Sequence, residues 1–248
     1  MNKSMKKVSV LIQARTGSSR LPGKVLEKIE NEPMIWHVIN RVKQIKSVDQ
    51  IILITTEEKE DQYLLKIADN EGIIGFTGST NDVLDRHFQC ALNFDADPII
   101  RITSDCPLID PFLVENILQF YLTNNFDYVS NIVIPTYPDG LDTEIFSFQT
   151  LEKLAHHVKL YSEREHVTTA IAKNPQLFTF YNYKNQENLS SYRWTVDRLE
   201  DLQFVREIYS RMAPRTVFSM DDVLKLISNE PDLLEINRGI DRNEGHTN

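Results

Sequence analysis

The sequence predicts an α/β fold, a mainly parallel sheet with helices on both faces. Three observations carry that expectation. Short apolar runs alternate with segments whose apolar residues recur at helical spacing through the first half of the chain. The first of these runs, Val8 to Ile12, is short and mostly apolar, as a buried strand is. The chain has 248 residues, 41% hydrophobic and 25% charged, which suits one large α/β domain spanning residues 1–248 with a small insertion.

The elements follow in order. Val8–Ala14 reads as a strand and Pro33–Ile45 as a helix, with Pro33 suited to the first turn. Ile51–Thr55 is a strand, Glu60–Asn70 a helix ended by Gly72, and Ile73–Phe76 a short strand. Thr80 is placed to cap a helix running to Asn93. Pro98–Thr103 is another strand, and Asp110 caps a helix from Pro111 to Leu122. The alternation breaks after Tyr128. Val129–Ile134, a turn at Pro138-Asp139-Gly140 and Asp142–Phe148 suggest a hairpin or extended arm. A helix over Glu163–Lys173, strands at Phe178–Tyr183 and Arg193–Val196, and a helix over Leu199–Arg211 follow. Short helices near Met220–Ser228 and Pro231–Ile236 end the fold, and Arg242–Asn248 reads as a frayed end.

Composition excludes several classes. A net charge of −9 argues against a general nucleic-acid binder, although a local basic loop can sit on an acidic protein. No apolar stretch approaches the roughly 20 residues that span a bilayer. Met1–Lys7 is basic, but the apolar run behind it is too short for a signal-peptide core. Cys90 and Cys106 lack metal-ligand spacing and read as buried free thiols. A cytoplasmic protein that binds neither membrane nor nucleic acid is expected. His37, His87, His156 and His157 show no ligand spacing and read as structural.

The most informative segment is Arg15-Thr16-Gly17-Ser18-Ser19-Arg20-Leu21-Pro22-Gly23-Lys24, between the first strand and the first helix. Glycines let a backbone approach phosphates, amides and hydroxyls donate to them, and Arg and Lys neutralise their charge. Pro22 stiffens the loop. The Walker pattern does not fit, because five residues separate Gly17 from Gly23-Lys24 and Val25 follows. The G-x-G-x-x-G pattern is absent from the loop. A solvated basic turn is the plainer alternative.

Two aspartates supply candidate chemistry. Asp105 follows the strand that ends near Thr103, so it should share the carboxyl edge of the sheet with the loop. Asp197, in Arg193-Trp194-Thr195-Val196-Asp197, lies between a strand and a helix, where a plain N-cap is the competing reading. Gly78 and Ser79 end another strand at the same edge. Asp82 and Asp85 that follow could be helix first-turn acids, and Arg86 one half of an ion pair. Asp139, Asp142 and Glu144 form a carboxylate-rich segment able to accept hydrogen bonds from hydroxyl groups, and Arg164 and His166 lie downstream in a run that reads equally as a capped helix start with solvated charges.

Ile12-Gln13-Ala14-Arg15 followed by Gly17-Ser18-Ser19-Arg20-Leu21-Pro22-Gly23-Lys24 resembles the nucleotide-binding signature of the CMP-sugar synthetases, the acylneuraminate cytidylyltransferase family, and within it the spore-coat polysaccharide biosynthesis SpsF-type proteins. The resemblance runs from about Val8 to about Tyr209 and is looser in the middle. It implies a fold of the nucleotide-diphospho-sugar transferase type and a reaction joining CTP to a sugar acceptor, an acidic one, with release of pyrophosphate. It implies that Ala14, Arg15, Gly17, Ser18, Ser19, Arg20, Lys24, Gly78, Ser79 and Asp82 bind the nucleotide. Arg15, Lys24, Asp105 and Asp197 would be catalytic, with the two aspartates holding Mg2+. Asp139, Asp142, Glu144, Arg164 and His166 would bind the acceptor. Residues 129–185 would form an arm for the acceptor site and a homodimer. One departure is visible: the octulosonate enzymes read Gly-Asp-Glu-Pro where this chain has Ser104-Asp105-Cys106-Pro107. A metal-dependent glycosyltransferase and a non-catalytic nucleotide-binding protein are the rival readings. The first is disfavoured by Ser-Asp-Cys where an Asp-x-Asp would stand.

Overall fold

A computed structural model describes residues 6–240 and 242. The chain opens with β1 (Lys7–Gln13), then a two-stranded ribbon of β2 (Lys28–Ile29) and β3 (Glu32–Pro33) leading into α1 (Met34–Val42). There follow β4 (Gln50–Thr56), α2 (Gln62–Asn70), β5 (Ile74–Gly78), α3 (Val83–Asn93), β6 (Ala96–Thr103) and α4 (Pro111–Thr123). The second half carries β7 (Tyr128–Ser130), β8 (Glu144–Phe146), α5 (Phe148–His157), α6 (Tyr161–Glu165), α7 (Thr169–Lys173), β9 (Phe180–Asn182), α8 (Leu199–Met212) and α9 (Met220–Asn229).

Seven strands form one sheet in the order β5-β4-β1-β6-β8-β7-β9. β8 runs antiparallel to both its neighbours, and the remaining pairings are parallel. Successive β1 side chains enter different cores. Val10 and Ile12 pack with residues of α1, α4 and α8, whereas Leu11 packs with residues of α3 and α5. That is the two-fold alternation of a strand buried on both faces. The chain leaves β1 toward β4 and β5, then returns to place β6 on the other side of β1. Such a reversal opens a crevice at the carboxyl ends of β1 and β6, where ligands of open α/β sheets bind.

Several elements differ from expectation. Asp82, not Thr80, caps α3: its side chain accepts from the Asp85 amide, while the Thr80 hydroxyl donates to Glu58. The hairpin expected between Val129 and Phe148 forms, but as part of the main sheet. β7 and β8 pair as antiparallel neighbours inside the sheet, and β9, expected outside it, is its edge strand. Helix α5, capped by Ser147, stands where a strand was expected to run through Phe148. The helix expected over Glu163–Lys173 is split into α6 and α7. Between them Val167 adopts φ 58 with its side chain fully buried, a conformation a β-branched residue adopts only when its surroundings impose it. The expected strand at Arg193–Val196 is reduced to a single parallel bridge, Asp139 to Arg193. Asp110 caps α4 as expected, accepting from the amides of Phe112 and Leu113.

Candidate active site

The phosphate-type loop is folded around Thr16. Its carbonyl accepts the amides of Ser18 (2.9 Å) and Gly23 (3.0 Å), closing residues 17–22 into a small ring of backbone. Gly23 takes φ +72, a left-handed conformation glycine adopts at little cost, and starts a short 3-10 turn that sends the Lys24 side chain inward. Among the described residues, no protein acceptor takes the amides of Arg15, Gly17, Ser19 and Arg20. Ala14 is buried, with its amide donated to Ile54, and the Ser18 hydroxyl accepts from the Leu21 amide. Arg15 is half-exposed, 3.9 Å from Glu165, and Arg20 pairs with Asp197 at 2.7 Å.

Asp105 and Asp197, 92 positions apart in the chain, are brought together by backbone. The Asp105 carbonyl accepts from the Val196 amide (2.8 Å) and the Thr195 hydroxyl (3.3 Å), so the 193–197 segment lies on the turn after β6. On its other side, the Trp194 amide donates to the Asp139 carbonyl (2.7 Å) and the Asp139 amide to the Tyr192 carbonyl (2.9 Å), and Gly140 fits tightly against Trp194 and Thr195. The Lys24 ammonium lies where the segments converge. It donates to Asp105 Oδ2 (3.1 Å), Asp197 Oδ1 (2.8 Å) and the Val196 carbonyl (2.7 Å), which accounts for all three of its protons. Burial alone would lower the Lys24 pKa and raise that of Asp105. The mutual charge and hydrogen bonds outweigh it, raising Lys24 and, with the Thr103 hydroxyl at 2.6 Å, holding Asp105 at about 2.

Asp197 is not the helix cap. The N-cap of α8 is Arg198, and Asp201 receives the amides of both Asp197 and Arg198. The Asp197 carboxylate instead faces three cations: Lys24, Arg20 and Arg193. Arg193, which sequence reasoning passed over, is the hub of this side, pairing with Asp139, Asp197 and the fully buried Asp201.

Gly78 and Ser79 end β5 beside this crevice. Arg86 crosses Gly78 so closely that a Cβ there would fall 2.8 Å from its Cγ, and its Nε donates to the Ser79 carbonyl. Arg86 is almost fully buried, and its Nη1 and Nη2 have no partner among the described residues. Asp82 takes Arg164 at 2.7 Å, so one candidate nucleotide residue and one candidate acceptor residue engage each other.

The remaining acceptor candidates differ in availability. Glu144 is buried in β8, its oxygens taken by Arg101, Tyr128 and Thr168, and it presents no open face. Asp139 is buried between Arg193 and Arg242. Asp142 is one-third exposed and pairs with Arg242 at 2.9 Å; burial pushes its pKa up to about 7, with Arg242 opposing. His166 is partly buried at the end of α6. Arg242, read from sequence as part of a frayed end, is thus drawn into the acceptor region.

The chemistry available is charge handling. Cations and open amides face the crevice from the loop, and two carboxylates converge on one point from the opposite side. That donor set fits a hard divalent cation. Among the described residues no cluster of three or more His, Cys, Asp or Glu forms, so protein would supply two carboxylates and phosphate or water the rest, as Mg2+ prefers.

Comparison with known proteins agrees with this geometry. The family described as cytidylyltransferase matches residues 9–226. The chain belongs to that family. A spore coat polysaccharide biosynthesis protein, SpsF of Bacillus subtilis, is 29% identical over 92% of this chain and 97% of its own. An 8-amino-3,8-dideoxy-manno-octulosonate cytidylyltransferase of Shewanella frigidimarina is 26% identical over 82% of this chain and 84% of its own. The structure of a cytidylyltransferase from Leptospira borgpetersenii superposes with a TM-score of 0.91 at 33% identity, covering 96% of this chain and all of that one. This cytidylyltransferase is therefore a nucleotidyltransferase of the α/β type, and the glycosyltransferase alternative falls away. No helix among the described residues is long and apolar enough to cross a membrane.

Proposed function

We propose that this cytidylyltransferase joins CTP to an acidic sugar, forming a CMP-sugar and pyrophosphate for a surface polysaccharide or glycan. The observation that carries the reading is the convergence of Lys24 of the loop with Asp105 and Asp197 at one point. The Bacillus spore coat polysaccharide protein and the Shewanella octulosonate cytidylyltransferase support the product class by likeness.

In this reading the amides of Gly17, Ser19 and Arg20, with the side chains of Arg15, Ser18 and Arg20, hold the triphosphate. Lys24 stands between the phosphates and the two carboxylates. Gly78, Ser79 and Asp82 border the nucleoside. Asp105 and Asp197 would hold Mg2+, which supplies charge neutralisation to the phosphates and acidity to a bound hydroxyl. An acceptor hydroxyl attacks the α-phosphorus in line and pyrophosphate leaves. The loop cations meet the charge that develops on the leaving oxygens, so positioning and electrostatics carry the rate. Asp139, Asp142, Arg164, His166 and Arg242 border the acceptor. The edge strand β9, with Tyr181 exposed and Ile134 beside it, suits a homodimer contact that light scattering would read.

A pyrophosphate-release screen of CTP, UTP, ATP and GTP against acidic and amino sugars tests the reading. CTP with one acidic sugar should turn over, and CTP should raise the melting temperature most. Equal response to all four nucleotides, or release only with ATP, would overturn it.

A further inference from the structure

Beneath the phosphate-type loop lies a carboxylate with no place in the chemistry above. Asp61 follows β4 and is 2% exposed. Its Oδ1 accepts both the amide and the hydroxyl of Thr16, each at 2.7 Å, and its Oδ2 accepts from the hydroxyl of Thr56, the last residue of β4. Burial would raise its pKa, but these hydrogen bonds prevail and hold it below the usual carboxylate value, so it stays ionised.

A negative charge beneath a polyanion site opposes ligand binding through space, so its presence there calls for a compensating role. Thr16 indicates what that role is. The same residue whose amide and hydroxyl are gripped by Asp61 closes the loop with its carbonyl, through Ser18 and Gly23. Asp61 therefore ties the ring of residues 17–22 to the end of β4, the strand beside β1. Without that tie, Thr16 would have a free amide and hydroxyl, and the ring could rotate about its junction with β1. The unpartnered amides of Gly17, Ser19 and Arg20 would then lose their common direction.

We propose that Asp61 is a positioning residue for the transfer reaction, presetting the phosphate loop through Thr16. This rests on the reading of the loop as a triphosphate site. A preset loop binds ground and transition states alike, so its loss shows in KM for the nucleotide more than in kcat.

The experiment compares Asp61→Asn, Asp61→Ala and Thr16→Val with the wild-type protein. It measures binding of inorganic triphosphate and the KM and kcat for the nucleotide, with unfolding of the unliganded protein followed separately. The inorganic probe makes the result independent of which nucleoside and sugar the enzyme uses. Asn keeps an oxygen for Thr16 and an amide that the Thr56 hydroxyl can accept from, so Asp61→Asn should stay within about threefold of wild type. Asp61→Ala should weaken triphosphate binding and raise KM by roughly tenfold or more, the scale of losing one charge-assisted contact, with a smaller change in kcat. Thr16→Val, which keeps the amide, should fall between them. Unchanged triphosphate binding in a folded Asp61→Ala protein would overturn the proposal. If that variant does not fold, unchanged binding in Thr16→Val would overturn it instead.

Discussion

Gly140 is the point at which the acceptor-side turn presses on the segment that carries Asp197, and replacing it with alanine tests how that carboxylate is placed. Gly140 has φ +102, and a Cβ would sit 2.6 Å from the Thr195 nitrogen and 2.7 Å from the Trp194 carbonyl carbon. Forcing a side chain into this backbone conformation costs about 1–3 kcal/mol. The colliding atoms are backbone in a buried segment and cannot move aside by a rotamer change, which adds about 1–3 kcal/mol. A loss of about 2–6 kcal/mol follows, or a fall in Tm of roughly 4–24 °C at about 2–4 °C per kcal/mol for a chain of this length. Relief requires the Gly140 turn and residues 193–197 to move apart, and a shift of about 1 Å at Asp197 should cost on the order of 10²-fold in turnover. Differential scanning calorimetry and pyrophosphate release measure the two effects. Gly17→Ala is the stability control, since nothing lies within 4 Å of a Cβ there and its φ is not positive. A Gly140→Ala protein with wild-type Tm and turnover would refute the claim that this turn sets the position of Asp197.

The carboxylates themselves are tested by Asp105→Asn and Asp197→Asn, each expected to cut turnover by roughly 10²-fold or more. Asp197→Asn should also lower stability measurably, because Arg20, Lys24 and Arg193 each lose one anionic contact, although Lys24 keeps Asp105 and Arg193 keeps Asp139 and Asp201; a folded Asp197→Asn protein with near-normal turnover would remove the two-carboxylate site. Acid stability gives an independent reading of Asp105. Its folded pKa of about 2 lies below the unfolded value of about 3.9, so its contribution is complete above about pH 4 and is lost as pH falls toward 2. Asp105→Asn should flatten that limb of a Tm-versus-pH curve, and an unchanged limb would show that Lys24 does not hold the carboxylate ionised.

How much of this was legible in the sequence depended on whether a residue's role was local. The loop stood out by its glycines, proline and cations between a strand and a helix, and the structure closes it around Thr16; Asp110 capped the helix it was assigned. Asp105 was placed at the carboxyl edge because it follows the end of a strand, whereas Asp197 was singled out only by resemblance, with a plain helix cap as the competing reading; the structure makes Arg198 the cap and brings Asp197 to Lys24. Asp61 was invisible: it ends the acidic stretch Glu57-Glu58-Lys59-Glu60-Asp61, and nothing in its spacing shows that it alone turns inward. Arg193 was hidden similarly, because its partners Asp139 and Asp201 come from different segments. The break at Val167 carries no glycine or proline to mark it; tertiary burial of that side chain overrides the helical pattern. The insertion of β8 between β6 and β7 is a pairing choice that periodicity does not encode.

The ammonium of Lys24 also bears on how the folded chain behaves before any ligand arrives. Two buried-edge carboxylates side by side would repel, and in many acidic sites only a captured ion makes them tolerable, so that folding waits on supply. Here the compensating charge is covalently attached to the loop that would greet the substrate. Lys24, with Arg20 and Arg193 on Asp197, thus already counters the two carboxylates from within. If Lys24 turned outward, Asp105 would lose its cation and Asp197 one of its three, so a second positive charge beside them would favour such a turn.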